Sequence, residues 1–146
     1  MRASLAPGLV ATHAYVVGEA NTVPHLMMDR STFDDIPEVL ATAYMCVMME
    51  GACTKALRPH LDAGEGSVGI HLDVAHTAAT VPGQTVTVTA TIEKVEGRKI
   101  TFHVVAHDGL DKIGEGRHQR AIVPWHRFKA GVAQKAARVA AARAQD

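Results

Sequence analysis

The stretch "ATAYMCVMMEGACTKAL", residues 41–57, decides how the chain folds. From residue 37 to residue 57 only Glu38, Glu50 and Lys55 carry charge, and no glycine or proline interrupts residues 38–50. This pattern predicts one long helix that is apolar on nearly all sides. Such a helix is buried, because a helix lying on a surface keeps a polar face toward water. A start signal lies upstream in "STFDDIPE", residues 31–38. It supplies several capping residues, acids for the positive helix end and Pro37 suited to a first turn. The predicted helix runs from there to about Leu57, and Pro59 stops it.

The sequence around the helix reads as strand. Residues 9–17, "LVATHAYVV", form a first strand, and residues 18–36 are irregular, with Pro24 and the apolar "HLMM". After the glycine-rich "LDAGEGSVG", the run "SVGIHLDVAH" alternates. Val68, Ile70, Leu72 and Val74 fall on one face, and Gly69, His71, Asp73 and Ala75 on the other. "TVTVTATIEKV" is a strand in which Val86, Val88, Ala90 and Ile92 alternate with threonines. It turns through "EGRK" into "ITFHVVAHD". "GLDKIGEG" and "RHQRAIV" complete a last strand, and the Ala-rich residues 129–146 form a helix or a frayed tail. One strand, a buried helix and four strands joined by short turns give an α+β domain over residues 1–146, with an antiparallel sheet around one helix. One curved sheet covers only about half of such a helix, so a second layer is required, most simply another copy of the chain. Burial alone therefore predicts a homodimer.

Composition narrows the function. The chain has 146 residues, the size of one domain, with 47% hydrophobic residues, enough for a core. Lys plus Arg and Asp plus Glu both number 15, so no net charge steers the whole protein to nucleic acid or anionic membrane. No run is long enough to span a bilayer, and the N-terminus, broken by Pro7, Gly8 and His13, does not read as a signal peptide. Cys46 and Cys53 are two turns apart on the helix, about 10 Å of rise, too far for a disulfide. They read as buried thiols of a reducing compartment, which places the protein in the cytoplasm.

Glu50 is the first candidate for chemistry. It either lies on a wet stripe of the helix or is a desolvated acid held protonated or paired to a cation. His76 closes a strand beside a loop, where reactive groups are often presented. Its alternative is a solvated strand-end histidine. Thr42 stands eight residues before Glu50, about 12 Å of rise and about 80° of rotation on a straight helix. The two can flank one substrate atom only if the helix breaks or if one of them works with a partner chain. Thr42 is otherwise a helix residue bonding back to its own carbonyls. His13, His71, His103, His107, His118 and His126 read as structural or surface residues. No metal-ligand spacing occurs, so no metal or other cofactor is expected. No GxSxG elbow, dinucleotide loop or P-loop is present. Gly69 is a point where backbone can approach a substrate, with its N–H as donor.

Three stretches carry a resemblance: "HLMM…FDDIPEVLATAYMCVMMEGAC", "LDAGEGSVGIHLDVAHTAATVPGQTVTVTATIEKVEGRK" and "VAHDGLDKIGEGRHQRAIV". Together they resemble the fluoroacetyl-CoA thioesterase family of hotdog-fold proteins, over roughly residues 8–128. The resemblance implies a hotdog dimer with active sites at the subunit interface, hydrolysis of a small acyl-CoA, and a catalytic trio of Thr42, Glu50 and His76. It also implies a substrate wall of Val23, Leu26, Phe33 and Ile36. Two positions depart from the fluoroacetyl enzyme: Ile36 replaces an aromatic lid residue, and Gly51 replaces a tryptophan after the glutamate. Both are expected to enlarge the acyl pocket and loosen selectivity. Two other hotdog functions compete: a non-catalytic acyl-CoA-binding module, and a hydratase, for which Asp73 and His76 are the only near match.

Overall fold

A computed structural model describes residues 1–26, 32–33 and 35–144 of the chain. The parts of "HLMM" and "STFDDIPE" at residues 27–31 and 34, and the end of the tail at 145–146, lie outside the described residues. The chain runs through β1 (Val10–Val16), α1 (Thr42–Leu57), β2 (Glu65–His76), β3 (Thr85–Glu96), β4 (Lys99–His107), β5 (Lys112–Pro124) and α2 (Trp125–Arg143). The five strands form one antiparallel sheet in the order β1-β3-β4-β5-β2. Its predicted alternation is visible in β3, where Val86, Val88, Ala90 and Ile92 are buried beneath α1. Gly97, at φ 59, makes the tight β3–β4 turn, a conformation that L side chains resist.

Helix α1 packs against all five strands. Met45, Met48, Met49, Ala52, Cys53 and Leu57 are buried on its sheet side. The helix is not buried all round, however: Ala43 and Val47 are exposed on the side away from the sheet. It also starts later than the sequence predicts. Pro37 does not enter a first turn, and helical structure begins at Thr42 after Ala41 in an extended conformation. The reason lies in backbone pairing. Val39, Leu40 and Ala41 donate their N–H groups to Pro37, Thr80 and Asn21, which holds the approach extended. Among the described residues no side chain caps the helix start.

The simple alternation expected for β2 is also corrected. Gly69 pairs with Arg120 and His71 with the next residue, Gln119, so Ile70 is an extra residue in a bulge. The bulge changes which residues share a face. Gly69, paired with Arg120, now lies on the helix side with Leu72, paired with buried His118, and with Val74 and His76. Ile70 leaves the apolar row and is 51% exposed. Strand β2 is also an edge strand, with β5 as its only neighbour among the described residues.

The C-terminal segment is helical from Trp125, and its residues are exposed from Trp125 to Ala144. Among the described residues no helix is long and apolar enough to cross a membrane. Cys46 and Cys53 are both free, and burial pushes the Cys53 thiol up to about 12, which makes it an inert packing group.

Candidate active site

The bulged strand and the helix it faces carry two groups of reactive side chains. The first lies where α1 begins and β2 ends. Thr42 is the first helical residue and His76 the last of β2, and Thr42 Oγ1 is 2.8 Å from His76 Nδ1. With Nδ1 as acceptor for the hydroxyl, the imidazole carries its proton on Nε2. That Nε2 is buried with no hydrogen-bond partner among the described residues. A cleft of about 340 Å³ opens beside the pair, walled by Val23, Val39, Leu40 and Ala78. The start of a helix presents unsatisfied N–H groups and positive potential, so this cleft suits an oxygen that gains negative charge.

The second group surrounds Glu50, two turns along α1. Its side chain is 44% exposed, so it is neither fully desolvated nor simply on a wet surface. It is paired to a cation: Arg120 Nη1 lies 3.6 Å from Glu50 Oε1. Arg120 is itself 6% exposed, and burial works against its charge, with Glu50 opposing that effect. Its Nε donates to Ser67 Oγ at 3.0 Å and its Nη2 to the Ser67 carbonyl at 2.9 Å, which fixes the guanidinium plane. His118 completes the cluster. Its Nδ1–H donates to the His71 carbonyl at 2.8 Å, and its Nε2 accepts from Arg120 Nη1 at 3.1 Å. That tautomer is neutral, and burial first, then the neighbouring Arg120 charge, holds the imidazole below its ordinary value.

Gly69 stands against this cluster as a point of close approach. A Cβ built on it would lie 2.3 Å from Glu50 Oε1 and 3.1 Å from His118 Cε1. Gly51 does not behave as expected. A Cβ there would meet the Tyr15 hydroxyl at 2.5 Å, so the room left by the missing side chain is filled from β1 and does not enlarge an acyl pocket. The Tyr15 ring is held edge-on to His13, with Lys55 Nζ 5.2 Å from its centre.

Of the expected substrate wall, Val23 lines the Thr42–His76 cleft. Leu26, Phe33 and Ile36 are half-buried in the segment that precedes α1. The helix is continuous from Thr42 to Leu57, so a break near Thr42 does not bring Thr42 and Glu50 together. Arg120 and His118 were missed as site residues by sequence reading. A signal existed: both fall on the same alternate positions of β5 as buried Ile122, so a period-two reading sets a cation on the core face. Glu19, His25 and Glu38 bring potential ligand atoms within 4.8 Å of one another, despite lacking metal-site spacing. The His25 ring is already engaged by Thr22 and Glu19.

Comparison with known proteins identifies the family and the fold. The fluoroacetyl-CoA-specific thioesterase family model matches residues 17–126. A fluoroacetyl-CoA thioesterase from Streptantibioticus cattleyicolor is 50% identical over 124 residues, covering 85% of this chain and 89% of the relative. A solved structure of the fluoroacetyl-CoA thioesterase FlK superposes with a TM-score of 0.87 at 48% identity, covering 90% of this chain and 98% of that one. A point mutant of FlK in complex with fluoroacetate and CoA gives 0.82 at 48% identity, covering 85% and 99%. The antiparallel sheet with its long helix is a hotdog fold, and the chain belongs to the fluoroacetyl-CoA-specific thioesterase family.

Proposed function

We propose that the protein hydrolyses a short acyl-CoA thioester, fluoroacetyl-CoA or a near relative, at a site built from both groups. The observation that carries this reading is the 2.8 Å contact between Thr42 Oγ1 and His76 Nδ1 beside an open cleft. A thioester carbonyl is electrophilic and its thiolate leaves readily, so hydrolysis needs an activated oxygen, a proton acceptor and a site for the oxyanion. His76 is the base, because its Nδ1 lies within hydrogen-bond reach of the Thr42 hydroxyl. It takes the proton of the Thr42 hydroxyl, or of a water held in its place, as that oxygen attacks the carbonyl. The N-terminal amides of α1 face the oxygen that becomes negative. The proton on His76 then returns to the departing sulfur. Where Thr42 was the attacking oxygen, a water deprotonated by His76 next attacks the acyl-threonine ester, and the proton passes back to Thr42 as the free acid leaves.

Glu50 and Gly69 enter from a second copy. In one chain, Thr42 and Glu50 are separated by about 12 Å of helix. The β2 edge offers a way to close that gap, since an uncovered strand is a template for another strand. Antiparallel pairing of two β2 edges centred on Asp73, which sets Leu72 opposite Val74 on the shared inner face, brings Gly69 of one opposite His76 of the other once Ile70 is skipped as the bulged residue. It also covers Ile70 and Leu72, which are exposed in the single chain. Exposed Val47 and half-buried Cys46 and Glu50 on α1 face the same open side.

Release of free CoA from fluoroacetyl- and acetyl-CoA, followed with a thiol reagent, tests the activity; no release from either would refute it. Mixing inactive variants tests the shared site. Glu50→Gln and His76→Ala each disable both sites of their own dimers. If Glu50 works across the interface, a heterodimer of the two retains one intact site. Random exchange then restores about a quarter of normal activity, since half the dimers are mixed. No recovery, in a mixture shown to have exchanged subunits, would place the whole site in one chain.

A further inference from the structure

An acyl-CoA has its reacting carbonyl at one end of a long arm and a phosphorylated nucleotide at the other. The two groups described above meet only the first end. A groove of about 380 Å³ begins one turn past Glu50, between the end of α1 and the start of β2. It is bounded by Thr54 and Arg58 from the helix end, Gly66 and Ser67 from the strand, and Arg2 and Trp125. Two of its lining residues, Thr54 and Ser67, adjoin the Glu50 cluster. The Thr54 hydroxyl donates to the Glu50 carbonyl at 2.8 Å, and Ser67 holds Arg120, which faces the Glu50 carboxylate.

The far end of the groove has suitable charge at a suitable distance. Arg58 lies eight residues beyond Glu50, about 12 Å along the helix. The arm of CoA between sulfur and phosphate is about four peptide units long, roughly 14 Å when extended. Arg58 has no ion-pair partner among the described residues, and Arg2 is held in place by the Pro59 carbonyl at 3.0 Å. Two acids, Asp62 and Glu65, also line the groove, and both are engaged: each contacts the Met1 amine, and Glu65 contacts Arg98 as well. An aromatic surface completes the end. The Trp125 indole occupies the space of a side chain at Gly66, where a Cβ would lie 2.0 Å from its ring. The ring is 37% exposed and is braced edge-on by Phe128 at 5.8 Å.

We propose that this groove binds the nucleotide end of CoA. Arg58 and Arg2 receive its phosphates, Trp125 stacks on the adenine, and Thr54 and Ser67 border the arm leading to Glu50. The assignment rests on the acyl-CoA reading above but can fail separately from it. Trp125 is the protein's one tryptophan, so its fluorescence reports on the groove directly. Titration with CoA and with adenosine 3′,5′-bisphosphate should quench it saturably, whereas pantetheine and inorganic phosphate should not. In Arg58→Glu, the midpoint for CoA should rise about tenfold, the size of one lost charge-assisted hydrogen bond. By the same measure, kcat/KM should fall about tenfold further for an acyl-CoA than for the matching N-acetylcysteamine thioester, which has no phosphate. Unchanged Trp125 emission at saturating CoA, in protein that hydrolyses acyl-CoA, would overturn the groove and leave the activity standing. Equal losses on the two thioesters would also overturn it. Saturable quenching lost in Arg58→Glu, in protein that hydrolyses neither thioester, would uphold the groove and refute the hydrolase.

Discussion

Gly69→Ala isolates the position of the Glu50 carboxylate. Gly69 has no positive φ, so the backbone accepts alanine there without strain. The added methyl group meets Glu50 Oε1 at 2.3 Å, and ordinary contact begins near 3.4 Å, so the oxygen must retreat by about 1.1 Å. His118 must give by a few tenths of an ångström as well. The clash is with the far end of a flexible side chain and not with backbone, so the fold loses little, about 0.5 kcal/mol or less. Catalysis tolerates such a shift poorly, since misplacement by 1 Å costs on the order of a hundredfold. The expected result is kcat/KM down about a hundredfold with an unchanged melting temperature. A thiol-release assay and a thermal melt on the same preparation measure both. Gly51→Ala is the counterpart: its methyl group meets the Tyr15 hydroxyl at 2.5 Å, on a ring held by its neighbours, and should lower stability more than turnover. Gly69→Ala with kcat/KM within threefold of normal would refute the placement of Glu50 at the reacting centre.

Three further outcomes follow from the same geometry. His76→Ala should lower kcat/KM by on the order of a hundredfold or more, the usual contribution of a positioned base, and near-normal thiol release would point to another base. His118 is held neutral by burial, so the unfolded chain binds its proton more readily than the folded one. Stability should therefore be complete above the ordinary histidine value of about 6.5 and decline as pH falls toward the lowered folded value. Chemical denaturation at pH 7.5 and 5.5 should show that loss, smaller in His118→Gln; an equal loss in the variant would place the titration elsewhere. Ile36→Phe should sharpen discrimination between fluoroacetyl- and acetyl-CoA, because an aromatic cover excludes water more rigidly than isoleucine. Preference for fluoroacetyl-CoA by several orders of magnitude in the unaltered protein would show that selectivity does not depend on that cover.

The sheet was largely legible because its strands announce themselves by alternation and its turns by glycine. The hairpin of β3 and β4 follows from "TVTVTATIEKV", "EGRK" and "ITFHVVAHD" alone. The site was legible residue by residue but not in its grouping. Thr42, Glu50 and His76 were each singled out, and the Thr42–His76 contact required a helix that starts five residues after Pro37. That start is set by pairing with Asn21 and Thr80, which no local preference encodes. Arg120 and His118 were hidden because a charged residue in a strand usually marks the wet face. Here Ser67 and the His71 carbonyl satisfy them underneath the sheet. The apolar row of Val68, Ile70, Leu72 and Val74 concealed the bulge, since a sequence pattern carries no sign of a skipped partner. Gly51 misled in another way: an absent side chain says nothing about which neighbour moves in, and Tyr15 does.

The extra residue in β2 also bears on how the chain can change length. Faces alternate strictly on either side of Ile70, and the two halves are out of phase with each other by that one residue. Removing it would join Gly69 to His71 in an ordinary rhythm, with Gly69, Leu72, Val74 and His76 still pointing inward. Removing any residue between His71 and Ala75 would instead rotate His76 to the outer surface, unless the bulge were lost to compensate. Ile70 is thus a slack link, the place where β2 can lose a residue without turning its terminal histidine away from Thr42.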